Sequence, residues 1–119
     1  MSDVRILIVE DDPFIAMDIE SAVAEELGDD AVMLIVASVE AAKREAAKNW
    51  SCALLDIDVV GGKTFDVAAS LLQNGVPFAF VSGSTPLDVP KPLRDVQFLR
   101  KPFSTTDIVS FVASAVDSR

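Results

Sequence analysis

The chain has 119 residues, half of them hydrophobic, with 19 acidic side chains, 10 basic ones and no histidine, for a formal charge of −9. This size and composition fit one globular domain with a substantial core, and the charge argues against nucleic acid or an anionic membrane as a direct partner. The lack of histidine excludes a phosphohistidine carrier, a Ser-His-Asp hydrolase and the common zinc sites. The sequence has a single cysteine, and it shows neither a signal peptide nor an apolar run long enough to span a membrane. These features favour a cytoplasmic protein.

Apolar runs of strand length alternate with helical patterns along the chain. Strands are predicted at Val4–Val9, Val32–Ala37, Cys52–Ile57, Pro77–Val81 and Val96–Leu99. Helices are predicted at Pro13–Leu27 after an Asp12 N-cap, at Val39–Trp50 after a Ser38 N-cap, at Thr64–Asn74, and after the capping sequence Ser104-Thr105-Thr106-Asp107. Unalternated apolar strands separated by helices predict an α/β fold with a doubly wound parallel sheet buried on both faces.

The segment from Gly83 to Asp95 does not follow this alternation. It contains Pro86, Pro90 and Pro92, and each proline removes a backbone donor and disfavours helical geometry in the residue before it. We therefore expect no regular helix between the fourth and fifth strands.

Polar residues follow the predicted strands at one edge of the sheet. Glu10 and Asp11 follow the first strand, Asp56 lies at the end of the third, Ser82 follows the fourth and Lys101 the fifth. Ligands of such sheets bind at the carboxyl ends of the strands, where these groups converge. Clustered carboxylates raise one another's pKa unless a cation shares the site, and all-oxygen ligands suit Mg²⁺. The set can transfer a phosphoryl group onto a carboxylate.

With these residues in place, the sequence resembles the receiver domains of bacterial two-component response regulators, including the chemotaxis receiver. The resemblance covers essentially the whole chain. It depends on four motifs in order and on the expected elements: Ile6-Leu7-Ile8-Val9-Glu10-Asp11-Asp12, Leu54-Leu55-Asp56, Ser82-Gly83, and Lys101-Pro102-Phe103 with Phe98 before it. It implies a flavodoxin-like fold with five parallel strands in the order 2-1-3-4-5.

The resemblance also implies a role for each site residue. Asp56 becomes the phosphoacceptor, and Lys101 and Ser82 contact the phosphoryl group. The Mg²⁺ ligands would be Asp11, Asp56 and the backbone carbonyl of Asp58, with Glu10 acting through water. Ser82 and Phe98 would form the switch, and the Lys101-Pro102 peptide would be cis. Phe98 also fits a plain core role.

One subgroup fits better than the family at large. The sequence Pro77-Phe78-Ala79-Phe80-Val81-Ser82-Gly83, with Gly61-Gly62 after the third strand, is similar to the FAT GUY pattern of single-domain regulators from alphaproteobacteria, in which the fourth helix is reduced or replaced by a loop. The chain departs from that pattern at Val81, Ser82 and Ser84, which affects the details of the switch.

The resemblance implies a stand-alone receiver over residues 1–119 with no output domain. It would accept a phosphoryl group from a histidine kinase or histidine phosphotransfer protein, signal to a protein target or serve as a relay or sink, and catalyse only its own phosphotransfer and dephosphorylation. Two alternatives stay open. Asp56-Ile57-Asp58 resembles the nucleophile motif of Mg²⁺-dependent aspartyl-phosphate phosphatases, and a receiver-like module could bind partners without phosphorylation.

Overall fold

A computed structural model describes residues 4–117 as a parallel sheet with helices on both faces. The five strands of this sheet are β1 (Val4–Val9), β2 (Ala31–Val36), β3 (Cys52–Leu55), β6 (Phe78–Ser82) and β7 (Gln97–Arg100). Their spatial order is β2-β1-β3-β6-β7, and every neighbouring pair is parallel. Counted within this sheet alone, the order is the predicted 2-1-3-4-5, so the doubly wound α/β class is confirmed.

The helices are α1 (Pro13–Leu27), α2 (Val39–Ala46), α3 (Phe65–Gln73) and α4 (Thr105–Asp117). Apolar side chains alternate along each central strand and divide the core between the faces. Ile6 and Ile8 of β1 pack with α1 and α4, while Leu7 and Val9 pack with α2 and α3. Because β1, β3 and β6 are buried on both faces, their sequences carry continuous apolar runs. None of the helices in residues 4–117 is long and apolar enough to cross a membrane.

Local capping fixes where the helices begin. Asp12 accepts hydrogen bonds from the backbone N–H groups of Phe14 and Ile15 at the start of α1, and Ser38 accepts one from Ala41 at the start of α2.

The predicted extension of α2 to Trp50 is wrong. The helix ends at Ala46, and the buried indole N–H of Trp50 instead donates to the Glu45 carbonyl at 2.6 Å.

The segment between β6 and β7 contains two single 3₁₀ turns, Pro86–Asp88 and Lys91–Leu93. Thr85 and Asp88 form a capping box on the first turn. Of the apolar residues here, Val89 and Leu93 are buried in the core on the α2 and α3 side, and Leu87 is 77% exposed. The segment is therefore held at two points although it lacks an α-helix.

A small hairpin between β3 and α3 was not predicted. Its strands are β4 (Asp58–Val59) and β5 (Gly62–Lys63), which pair antiparallel. Gly61 and Gly62 adopt positive φ angles of 96° and 130° in its turn, a region that favours glycine. Val60 also pairs with the loop after β2, where Val39 N–H donates to the Val60 carbonyl. The hairpin thus lies beside the carboxyl ends of β2 and β3.

Candidate functional site

Three carboxylates meet at the carboxyl ends of β1 and β3. Glu10 and Asp11 follow β1, and Asp56 follows β3, with oxygen atoms of all three within 4.8 Å of one another. Parallel pairing of β1 with β3 causes this approach, because it aligns Val9 with Leu55, the last residue of each strand. Glu10 and Asp56 are buried and Asp11 is exposed, so the cluster opens to solvent on one side.

Lys101 reaches into this cluster from the end of β7. Its Nζ atom lies 3.0 Å from Asp56 Oδ2 and 2.8 Å from Glu10 Oε1. The Lys101 backbone N–H donates to the Ser82 carbonyl, which ties the lysine to the end of β6. The Lys101-Pro102 peptide is cis, as the family resemblance implied. One ammonium group therefore faces two buried carboxylates.

The Glu10 carboxylate is held on both sides. Oε2 accepts the Asp12 backbone N–H at 3.1 Å. Oε1 is buried 2.8 Å from the Lys101 ammonium, and within residues 4–117 it accepts no hydrogen bond of regular geometry. Burial raises the pKa of Glu10, and the nearby Asp56 carboxylate raises it further, while Lys101 and the Asp12 N–H lower it only in part. The Glu10 carboxylate is thus held by one backbone donor and one ammonium, and its pKa is raised in spite of both.

Opposite effects act on the pKa of Lys101. Burial lowers it, but the close contacts of the ammonium with the Glu10 and Asp56 carboxylates outweigh burial, so the pKa of the ammonium group is raised overall. Lys101 is therefore a fixed positive charge at neutral pH.

Ser82 lies at the end of β6 and Phe98 on β7, and their role as a switch stays a prediction. Ser82 is 2% exposed at the end of β6, and its hydroxyl accepts the Ser84 backbone N–H at 3.2 Å, which leaves its own proton available for donation. Phe98 is half-buried on β7, opposite Phe80, with 6.3 Å between the ring centroids. Phe98 is therefore part of the aromatic packing on the α2 and α3 side and still reaches solvent.

The Asp58 side chain lies outside the carboxylate cluster. It is exposed, its carboxylate forms an ion pair with Lys63 across the hairpin, and it also accepts a 3.5 Å hydrogen bond from the Ser84 hydroxyl. The two aspartates of the Asp56-Ile57-Asp58 sequence thus contact different cations. The expectation for Asp58 concerned its backbone carbonyl, and it stays a prediction.

Thr64 supports Asp56 and was predicted only as the start of a helix. Its side chain is fully buried, and its hydroxyl donates to the Asp56 carbonyl at 2.6 Å. Its backbone N–H donates to the Ile57 carbonyl. These bonds fix the turn that carries Asp56. A buried threonine leaves no pattern in sequence that separates it from an ordinary helix cap.

The donor set fits Mg²⁺. Mg²⁺ prefers carboxylate oxygens and keeps several water ligands, and here Glu10, Asp11 and Asp56 supply oxygens on a side open to solvent. The single ammonium of Lys101 leaves this cluster with a net negative charge.

Comparison with solved structures finds the same fold over the whole chain. A response regulator receiver domain protein from Methanospirillum hungatei JF-1 matches with a TM-score of 0.83 at 21% identity, over 98% of this chain and 96% of that one. A response regulator receiver protein from Sinorhizobium medicae WSM419 matches with a TM-score of 0.81 at 20% identity, over 98% and 97%.

A more similar sequence is SdrG from Sphingomonas melonis Fr1. It is 36% identical to this chain over 98% of each, with a TM-score of 0.74. No protein-family model matches the chain, and no curated protein matches it.

Proposed function

We propose that this chain, a receiver domain of the response regulator type, uses Asp56 as its phosphoacceptor. The observation that supports this assignment most is the contact of the buried Asp56 carboxylate with Lys101 Nζ at 3.0 Å, inside the carboxylate cluster. No other aspartate in residues 4–117 combines these features.

In the transfer step, a carboxylate oxygen of Asp56 attacks phosphorus. An O–P bond forms while the bond from phosphorus to the donor breaks, and the donor leaves with that electron pair. Asp11, Asp56 and the backbone carbonyl of Asp58, with Glu10 acting through water, would hold Mg²⁺, and the bound ion would supply positive charge to the phosphoryl oxygens. Lys101 pairs with one such oxygen and the Ser82 hydroxyl donates to another.

Phosphorylation would change the surface near β6 and β7. A Ser82 hydroxyl drawn to the phosphoryl group shifts the end of β6 and, through the backbone bond from Lys101 to Ser82, the end of β7. Phe98 then moves from its half-exposed position toward Phe80. Such a two-state surface would carry the signal to a protein target.

We also propose that the chain belongs to the FAT GUY subgroup. Two features support this: the sequence pattern of residues 77–83, and the 3₁₀ turns that stand in place of a helix between β6 and β7.

The phosphoryl donor would be a histidine kinase or a histidine phosphotransfer protein. An apolar surface lies beside the site: Phe14 and Met17 of α1 are 77% and 59% exposed. Next to them is a cavity of about 350 Å³ lined by Ile15, Asp18, Lys101, Pro102 and Phe103. A partner that covers this surface would bring its phosphohistidine to the open side of the cluster.

Labelling with a small phosphodonor such as acetyl phosphate, in the presence of Mg²⁺, tests the assignment. Asp56→Asn should abolish base-labile labelling, because an amide of nearly the same shape cannot attack phosphorus. Asp12→Asn is the matched control, since asparagine also caps helices and α1 should stay intact. Circular dichroism checks that both variants fold. Undiminished labelling of Asp56→Asn would refute the assignment, and no labelling of the unmodified chain would favour a phosphorylation-independent module.

A further inference from the structure

The two edges of the main sheet are protected differently. On β7, Gln97 and Arg100 are exposed at the two ends of a four-residue strand. On β2, residues 31–36 are all apolar, and Val32 is 55% exposed. Polar or charged residues on an edge strand usually prevent it from pairing with another chain. β2 has no such residue along its whole length.

The register of β2 identifies which of its backbone groups are free to pair. The Glu10 N–H donates to the Val36 carbonyl, and Val36 lies opposite Val9. In a parallel pair, alternate residues of a strand direct both their N–H and C=O groups to the same neighbour. Val32, Leu34 and Val36 therefore form the hydrogen bonds to β1. The N–H and C=O groups of the alternate residues, Met33 and Ile35, point away from the sheet and have no partner within residues 4–117.

We propose that β2 pairs antiparallel with β2 of a second copy of this chain, so that the two sheets become one. With the twofold axis at Met33, each Met33 pairs with its mate and each Ala31 pairs with Ile35 of the other copy. The outward N–H and C=O groups of all three residues then gain partners. The exposed Val32 comes to lie opposite Leu34 of the second copy, which buries apolar surface on both.

Charge favours this arrangement over a parallel one. Asp29 and Asp30, in the 3₁₀ turn before β2, are exposed and form no ion pair within residues 4–117. Antiparallel pairing places them beside the residues that follow β2 in the second copy, where α2 begins at Val39. The N-terminal end of α2 carries partial positive charge that attracts carboxylates, although Glu40 in its first turn offsets part of that charge. Parallel pairing would instead place the acidic turns of both copies side by side.

Sedimentation velocity over a range of protein concentrations tests the association. The unmodified chain should show a species of twice the mass of one chain as concentration rises. Met33→Pro removes an outward N–H that the proposed dimer needs, so it should prevent association. The variant should still fold, because the bonds to β1 are kept and proline is tolerated on edge strands. Val32→Lys places a charge on the edge and should do the same. Gln97→Lys, an exposed change on the opposite edge, should leave association unchanged.

Amide exchange measured by NMR tests the register and does not depend on any variant. The amides of Val32, Leu34 and Val36 should be protected at every concentration. Those of Met33 and Ile35 should exchange fast in dilute solution and become protected only as the dimer forms. Protection of all five amides that does not change with concentration would refute the proposal.

Neutralisation of single acids tests the orientation. The chain carries a charge of −9, so removal of an acid far from the interface should leave association unchanged or strengthen it. Asp29→Asn and Asp30→Asn should instead weaken it, by about twofold to fivefold for each carboxylate. Glu25→Gln, with the same change of charge in α1, is the control. A monomer at every concentration, or a dimer that survives both Met33→Pro and Val32→Lys, would overturn the proposal.

Discussion

The two ends of the sheet differ in whether their polar and charged groups find partners. At the amino ends of the strands, the Arg5 guanidinium lies 4.8 Å above the Trp50 ring, and Ser51 exchanges hydrogen bonds with the Arg5 backbone. At the carboxyl ends, three carboxylates lie together, and one ammonium contacts only two of them, Glu10 and Asp56. One end stabilises the fold, and the other retains charge repulsion that a cation and a phosphoryl group can use.

The largest expected effect is at the amino end. Trp50 is 4% exposed and packs in the core on the α2 and α3 side, so Trp50→Ala should lower the free energy of unfolding by about 3–5 kcal/mol. Trp50→Phe should cost less, because it keeps an aromatic ring there. Chemical denaturation measures both losses. At a temperature where both variants stay folded, Asp56 should be labelled by a phosphodonor as in the unmodified chain, and loss of labelling would contradict the separation of the two ends.

At the carboxyl end, removal of the single ammonium should be the most costly change. Lys101→Met leaves the Glu10 and Asp56 carboxylates buried without their cation, and should destabilise the metal-free protein by about 2 kcal/mol. Because the pKa of Lys101 is raised, its contribution is present at neutral pH and is lost as pH rises through that raised value. Denaturation at neutral and alkaline pH checks this. Lys91→Met, on an exposed 3₁₀ turn, is the control, and equal losses would contradict the role of Lys101.

Glu10 should make the stability of the metal-free protein fall as pH rises. Its pKa is raised in the folded state, so over the range between the ordinary glutamate pKa and the raised one, the folded chain holds a proton that the unfolded chain releases. Stability therefore decreases with pH over that range. Glu10→Gln should flatten the decrease, as measured by denaturation midpoints at a series of pH values. An unchanged slope in the variant would assign the decrease to other groups.

The smallest effect is expected at Asp11. Its carboxylate is exposed and forms no hydrogen bond or ion pair within residues 4–117, so Asp11→Ala removes repulsion at little cost. The metal-free melting temperature should rise slightly. The same variant should bind Mg²⁺ more weakly, as seen by titration. A clear drop in melting temperature would mean that the protein itself satisfies the cluster.

The sequence predicted the parts of this molecule that depend on local patterns. The β1 and α1 limits were correct because a buried apolar run and the Asp12-Pro13 start are strong signals. The convergence of Glu10, Asp56 and Lys101 followed from the rule that parallel strands align their carboxyl ends. Sequence could not show the β4–β5 hairpin, whose two-residue strands are too short for periodicity.

Other features depend on tertiary contacts that leave no pattern in the sequence. At the early end of α2, the Glu45 carbonyl accepts both the Trp50 indole N–H and the Lys48 backbone N–H. The support of Asp56 by Thr64 depends on a turn of the chain. The anchoring of the β6–β7 segment by Val89 and Leu93 is a matter of packing against the sheet. In each case the contact depends on how the folded backbone turns, and the identity of the residue does not reveal it.

The most direct test of the central claim is to locate the phosphoryl group chemically. After phosphorylation with Mg²⁺ and a small phosphodonor, reduction with borohydride converts a phosphoaspartate to homoserine, and peptide mass spectrometry identifies the converted position. We expect homoserine at position 56 only when Mg²⁺ is present. The yield of homoserine should fall by a large factor in Lys101→Met and in Asp11→Ala. Conversion at any other aspartate, Asp58 included, or none at position 56 under conditions that label the protein, would contradict the account.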